Sequence, residues 1–283
     1  MTDVVVVLPG PHACFQDLGR LGRAHQGVPR SGAADRGALR RGNRLLGNEE
    51  GAAGIEVLFG PLVLEAIGDA VVAVTGASCE VRVGARLEAM NVALRLRPGE
   101  QLRCGTSLGG LRIYVTAKGG FEPPAVLGSR SYDELGLIGP APLVRGDRIT
   151  LGTHASGPSW WEPTGAAPPA PAPVLGLCRG PRDDWASSEA LALLTTALWT
   201  VLPQSNRTGL RLSGPLLCRR SGELPSEPTL PGAVQLPAGG QPILLGPDSG
   251  TTGGYPVLGV VRDEDLDRAG QAAPGSLLRF RWN

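Results

Sequence analysis

Three polar, glycine-rich stretches carry most of the side chains able to do chemistry. The first, Phe15-Gln16-Asp17-Leu18-Gly19-Arg20-Leu21-Gly22-Arg23, leads into Gly27-Val28-Pro29-Arg30-Ser31-Gly32-Ala33-Ala34-Asp35. It gathers a carboxylate (Asp17), a guanidinium (Arg20) and the expected start of a helix, a combination suited to holding a carboxylate or a phosphate. The structural alternative has Asp17 bonding turn amides and the arginines in solvent. The second stretch runs from Ser205 to Pro215. If it is extended, Arg207, Gly209 and Arg211 share one face and offer two planar donors to an anion; on a surface strand they are ordinary solvated charges. The third is Gly250-Thr251-Thr252-Gly253-Gly254-Tyr255-Pro256, whose successive amides are suited to a nest for negative charge. A plain connection between strands is the competing reading.

The elements that must position these stretches are mostly strands. Val71-Val72-Ala73-Val74 and Leu111-Arg112-Ile113-Tyr114-Val115 are short β-favouring runs bounded by glycine-rich punctuation. One small unit recurs at 96–104, 143–151 and 273–280: a turn with a glycine (Gly99, Gly146, Gly275) ahead of alternating apolar positions. The glycine is expected to supply a positive φ, and the alternation turns one face inward. Two helices stand out. One is expected from Ser31 to Gly47, with Asp35 in its first turn, Ala34, Ala38, Leu45 and Leu46 on one face, and Arg40, Arg41 and Arg44 on the other. The second is expected from about Asp184 to Val201, with a stripe of Leu191, Leu194, Leu198 and Trp199, stopped by Pro203.

Many strands with one helix per half predict a mainly β protein of two barrel domains, each flanked by a helix. The length of 283 residues fits two domains. A seam is expected at 158–173, where six of sixteen residues are proline. This divides the chain into an N-terminal domain over 1–157, a linker, and a C-terminal domain over 174–283, with Trp160 and Trp161 available to pin the linker to one side.

Composition removes several functions. Lys+Arg total 27 against 26 Asp+Glu, a net charge of +1, so no bulk field draws the chain to nucleic acid or an anionic membrane. Lys118 is the single lysine, followed by Gly119, so neither a P-loop nor a biotin-carrying lysine between methionines is present. The histidines, His12, His25 and His154, are too scattered for a HExxH metal site, and no GxSxG nucleophile elbow occurs. Five cysteines without a CxxC pair suggest neither a zinc knuckle nor a disulfide framework. No export signal or membrane span is legible, so a cytoplasmic protein with reduced thiols is expected.

In order along nearly the whole chain, FQDLGRLGRAHQGVPRSGAAD, GNRLLGNEEGAAGIEVLFGPLVLE, VLGSRS, SNRTGLRLSGP, GAVQLPAGGQPILL and TTGGYP resemble one family. It is variously called biotin-dependent carboxyltransferase AB domain, allophanate hydrolase subunit 2, KipA and the C-type subunit of 5-oxoprolinase (PxpC). The resemblance implies cyclophilin-like β-barrel domains. It implies a component of an ATP-dependent 5-oxoprolinase that opens 5-oxo-L-proline to L-glutamate with a B-type (KipI/PxpB-like) subunit and an A-type (LamB/YcsF-like) subunit. ATP would act through the complex, and biotin would not be covalently bound here. Other members are half of the carboxyltransferase of urea carboxylase, where another domain carries biotin, or a KipA-like regulator that binds a kinase-inhibitor partner. On residue chemistry plus this resemblance, Asp17, Arg20, Thr251 and Thr252 are the catalytic choices. Arg130, Arg207, Arg211, Gly253, Gly254 and Tyr255 are the choices for substrate or anion binding. The chain departs from the family's usual Ser-Asp-Arg-Met-Gly-Tyr-Arg at Asn206, Thr208 and Leu210, from Pro-Pro-Asp-Gly at Pro237-Ala238-Gly239-Gly240, and from Ser-Glu-Gly at Pro228.

Overall fold

The structure, a computed structural model, describes residues 2–153 and 172–283. Trp160, Trp161 and all but the last two residues of the expected linker lie outside the described residues. The chain divides into two compact units, and the division is not a single cut. Residues 2–20, 31–133 and 137–153 form the first; 21–30, 134–136 and 172–283 form the second.

The first unit is built on two antiparallel sheets. One has the order Arg148–Thr150, Asp3–Leu8, Leu62–Ala66, Gln101–Cys104, Val81–Val83, Arg86–Glu88; the other His12–Gln16, Gly54–Leu58, Leu108–Ala117, Ala70–Ser78, Ala93–Leu96. Alternating inward residues of both sheets, among them Val4, Val6, Leu64 and Leu102 from one and Ile55, Val57, Val72 and Ile113 from the other, make one apolar core. The strands expected at 71–74 and 111–115 lie inside the two longest strands of the second sheet.

Helix α1 (Arg36–Leu45) packs on that sheet through Leu39 against Tyr114 and through Leu45 and Leu46 against Ala73. It starts later than Ser31. Ser31 (φ 56°) and Gly32 (φ 89°) are left-handed and cannot join a right-handed helix. Asp35 is the N-cap rather than a first-turn residue, its carboxylate accepting from the Ala38 amide at 2.8 Å. The helix approaches the sheet closely at Gly42, where a Cβ would lie 2.7 Å from Thr116 Oγ1.

The second unit holds a closed seven-stranded barrel: Val174–Arg179, Val257–Val261, Ala233–Gln235, Ile243–Leu245, Gly209–Ser213, Trp199–Val201, Leu277–Trp282. A parallel pairing of Leu277–Trp282 with Val174–Arg179 closes the ring and leaves it no free edge. Trp199, Leu175, Leu258 and Phe280 fill its interior. Helix α2 (Ser188–Thr196), capped by Ser187, is shorter than the helix expected over 184–201. Asp183–Trp185 is a separate 3₁₀ turn and Trp199–Val201 is a barrel strand. The chain leaves the helix at Ala197 (ψ 159°), and the β-branched Thr200 and Val201 suit the ladder. Leu194 and Trp199 are buried as the stripe requires, whereas Leu198 is exposed. A short helix α3 (Leu266–Gly270) follows later in this unit. Gly99, Gly146 and Gly275 all take positive φ (79°, 94°, 84°), as the recurring turn unit predicts. Among the described residues no helix is long and apolar enough to cross a membrane.

Candidate functional site

In the first unit the polar stretch around Asp17 folds onto the loop 129–131. Asp17 Oδ1 accepts from the Gly19 amide (2.7 Å), Ser129 Oγ (2.7 Å) and Ser131 Oγ (2.5 Å), and Oδ2 from the Arg130 amide (2.6 Å). Four donors, none of them charged, hold the carboxylate, as in the turn-bonding alternative. Arg20 comes to the same loop but does not reach Asp17. Its guanidinium is buried and donates to the carbonyls of Ser131, Val126 (3.1 Å) and Ile138 (3.3 Å). Arg130 donates from Nε to the Pro123 carbonyl at 3.1 Å. The two halves of the stretch also meet, because a Cβ on Gly32 would fall 2.8 Å from the Gly19 amide nitrogen.

The amides that lead into α1 already have acceptors inside the protein. Ala33 N–H donates to the Asp17 carbonyl (2.9 Å), Ala34 N–H to Glu56 Oε2 (3.0 Å) and Asp35 N–H to Tyr114 Oη (2.8 Å). A second carboxylate beside the Asp35 cap is thus Glu56, which also accepts from Tyr114 Oη (2.6 Å) and Arg112 Nε (3.1 Å). Both members of the Glu56–Arg112 pair are buried. Burial and the Glu56 charge push the Tyr114 hydroxyl well above its ordinary ionisation range, so it stays a neutral donor to Glu56.

In the second unit Arg207 and Arg211 do not share a face. The strand begins only at Gly209; Arg207 precedes it and is buried, while Arg211 is exposed on it. Arg207 makes a two-pronged pair with Asp248, Nε to Oδ2 at 2.7 Å and Nη2 to Oδ1 at 2.9 Å. Asp248 is fully buried and also accepts from the Glu134 amide at 3.0 Å. Asn206 Oδ1 accepts from the amides of Thr208 (3.0 Å) and Gly209 (3.3 Å), so the amide that replaces the family's carboxylate still supplies the turn's acceptor oxygen.

The stretch 250–255 is a ribbon rather than a nest. Thr252–Gly253 pairs with Glu227–Pro228, and the Thr251 carbonyl accepts from the Thr229 amide. Gly250, Gly253 and Gly254 are absent from the positive-φ residues that a nest would alternate. Thr252 and Tyr255 are exposed, Thr251, Gly253 and Gly254 half-buried. Beneath the ribbon lies Gln235, 5% exposed, whose Nε2 has no hydrogen-bond partner. A Cβ on Gly253 would lie 2.8 Å from that nitrogen, so glycine there makes room for the amide. Beside it Arg182 Nε donates to both oxygens of Glu227 at 3.0 Å and holds the Glu227 carboxyl below its ordinary range. Among the described residues no cluster of three or more His, Cys, Asp and Glu is arranged to hold a metal ion.

The profile of the family "Carboxyltransferase domain, subdomain A and B" matches residues 26–282. The chain belongs to this carboxyltransferase-domain family. Among curated relatives, the C-type subunit of the 5-oxoprolinase of Escherichia coli (strain K12) is 34% identical over 282 residues, covering 97% of this chain and 89% of the relative. Among solved structures, TTHA0988 superposes with a TM-score of 0.88 at 32% identity over 99% of this chain; the chain spans 56% of that protein's length. The K. lactis urea amidolyase matches with a TM-score of 0.90 at 27% identity over 98% of this chain, which corresponds to 18% of the amidolyase. The carboxyltransferase fold therefore occurs both as most of a subunit and as one part of a much longer chain.

Sequence reasoning missed Glu56, Arg112, Tyr114, Glu134, Asp248 and Gln235. Glu56 and Gln235 did leave a signal, each a polar residue inside an otherwise apolar strand, Gly54–Leu58 and Ala233–Gln235. Asp248 left none, because its partner Arg207 is 41 residues away.

Proposed function

We propose that this chain is the C-type subunit of an ATP-dependent 5-oxoprolinase that opens 5-oxo-L-proline to L-glutamate. The observation that carries this reading is the 34% identity to the E. coli C-type subunit over 97% of this chain and 89% of that relative, a match of nearly whole chain to whole chain. The working enzyme would include a B-type and an A-type subunit. ATP is assigned to the complex and not to this chain. Arg207, one of the two arginines expected from the sequence to hold an anion, has its guanidinium on Asp248, and the amides entering α1 are on Asp17, Glu56 and Tyr114. We place substrate contact on the second unit, at the ribbon of Thr251, Thr252, Gly253, Gly254 and Tyr255, where Gln235 offers a donor and the backbone is partly open. Asp17 and Arg20 then act as positioning residues that fix the loop 129–131.

The urea amidolyase match favours one second reading, carboxyl transfer from carboxybiotin carried by another domain to a urea-like acceptor. The two separate in one assay. The chain, purified with its B-type and A-type partners, is expected to show ATP hydrolysis that depends on 5-oxoproline. Biotin-dependent carboxylation of urea, with no response to 5-oxoproline, would replace the first reading by the second.

A further inference from the structure

The barrel of the second unit holds one buried amide side chain whose nitrogen its own fold leaves unsatisfied. In the strand Ala233–Gln235, Val234 lies in the barrel core, as does Leu236 beyond it, so alternation turns Gln235 outward. A bulge helps to aim it: Val234 faces Gly259, Gln235 faces Val257, and the ladder slips by one residue between them. Outward here does not mean into water. Gln235 is only 5% exposed, beneath the ribbon that pairs Glu227–Pro228 with Thr252–Gly253.

Among the described residues nothing accepts from Gln235 Nε2. Buried polar atoms are normally paired and costly to leave unpaired, so a ligand oxygen that reaches this nitrogen gains a full hydrogen bond. The neighbouring Thr229 does not compete for it: its hydroxyl donates to the Gly250 carbonyl at 2.6 Å and its amide to the Thr251 carbonyl. Gly253 keeps the space in front of the nitrogen clear, since a Cβ there would lie 2.8 Å from Gln235 Nε2 and 3.3 Å from Thr229 Cγ2. Its φ is not positive, so glycine is needed for room rather than for backbone shape. Such a glycine in a strand marks a place where another group approaches closely.

We propose that Gln235 is the specificity residue of the ribbon site and reads a syn amide edge, a C=O and an N–H on the same side of one amide. The proposal rests on the placement of substrate contact at the ribbon. A carboxamide carries a donor and an acceptor side by side. Gln235 Nε2 donates to the ligand carbonyl, and Oε1 accepts from the ligand N–H. Ring closure forces the lactam of 5-oxo-L-proline into this form, whereas an open-chain peptide bond is trans and presents the two groups on opposite sides. Urea offers the same edge. Glutamate does not, so the pairing ends when the ring opens and the product is not held by it. In the lactone analogue, with a ring oxygen for the N–H, Oε1 faces a lone pair, a mismatch that a hydrogen-bonding site rejects.

Nuclear magnetic resonance of the full chain, isotopically labelled in its glutamine side-chain nitrogens, tests the site by titration with 5-oxo-L-proline, its lactone analogue and urea. Each titration is run on the chain alone and again with unlabelled B-type and A-type subunits added. The Gln235 amide signals are identified by their loss in Gln235→Met, a variant expected to melt no lower than the parent because it removes an unpaired buried donor. The lactam is expected to shift those signals saturably and to bind about tenfold to a hundredfold more tightly than the lactone. Gln235→Met should erase that preference. Gly253→Ala keeps Gln235 but fills the space in front of its nitrogen, and should lose the shift. Urea moving the Gln235 signals in place of 5-oxoproline would uphold the role of Gln235 and replace the 5-oxoprolinase reading. Gln235 signals that respond to neither probe in either state, equal affinities for lactam and lactone, or an unchanged preference in Gln235→Met would each overturn the proposal.

Discussion

Replacing Asp248 by Asn would isolate the buried charge on which the second unit depends. The Arg207 and Asp248 side chains are 4% and 0% exposed, so the pair is almost wholly out of water. Asp248→Asn keeps the volume and one acceptor oxygen, still able to serve the Glu134 amide, but removes the carboxylate charge that the two-pronged pair with the Arg207 guanidinium rests on. Breaking one side of a buried ion pair costs about 3–5 kcal/mol. At roughly 2–4 °C per kcal/mol for a chain of this size, the melting temperature should fall by about 10 °C. Urea unfolding followed by tryptophan fluorescence reads the right region, since Trp185, Trp199 and Trp282 lie in the second unit and Trp199 is fully buried in its core. The double variant Arg207→Met with Asp248→Leu removes both charges. It should recover most of the loss, leaving about 1 kcal/mol for the acceptor that the Glu134 amide no longer has. An Asp248→Asn protein within about 1 kcal/mol of the parent, or a double variant as unstable as the single, would refute the assignment of Arg207 to the fold rather than to an anion.

Tyr114→Phe removes a hydroxyl that accepts from the Asp35 amide and donates to Glu56; a loss of about 1–3 kcal/mol is expected by urea denaturation. Because the folded state raises the Tyr114 ionisation above its ordinary value of 10.0, that group's contribution is complete below pH 10 and is lost as pH rises beyond it. The parent should therefore lose stability more steeply than Tyr114→Phe above pH 10 in a pH series of melts. Gly42→Ala would drive a Cβ to 2.7 Å from Thr116 Oγ1 and lift α1 from its sheet, at a cost of about 1–3 kcal/mol measured by thermal denaturation. Asp17→Asn should lower the melting temperature of the isolated chain and speed proteolysis near 129–131, because two serine hydroxyls and two amides share that carboxylate.

What was legible in the sequence was local. The turn glycines Gly99, Gly146 and Gly275 announced their positive φ because a tight turn ahead of an alternating strand needs it. Asp35 announced the start of α1, though not that it would cap it, since Ser31 and Gly32 break the helical register only through their backbone angles. Apolar periodicity carried the second helix too far: Trp199 lies in the same core as Leu194 but reaches it from a strand, and the indole N–H even donates to the Leu194 carbonyl at 2.9 Å. The candidate site was the least legible part. Asp17 meets Ser131 across 114 residues and Arg207 meets Asp248 across 41, distances over which spacing says nothing about partners. Reading Arg207 and Arg211 as a donor pair assumed an extended chain at 207, and burial of one beside exposure of the other removes it.

The central claim is most directly tested by forming glutamate from labelled 5-oxo-L-proline and ATP with purified subunits. With this chain and its B-type and A-type partners together, labelled glutamate and ADP should appear in equal amounts, and omission of this chain should abolish both. No glutamate from the complete assembly, or undiminished glutamate without this chain, would contradict the account.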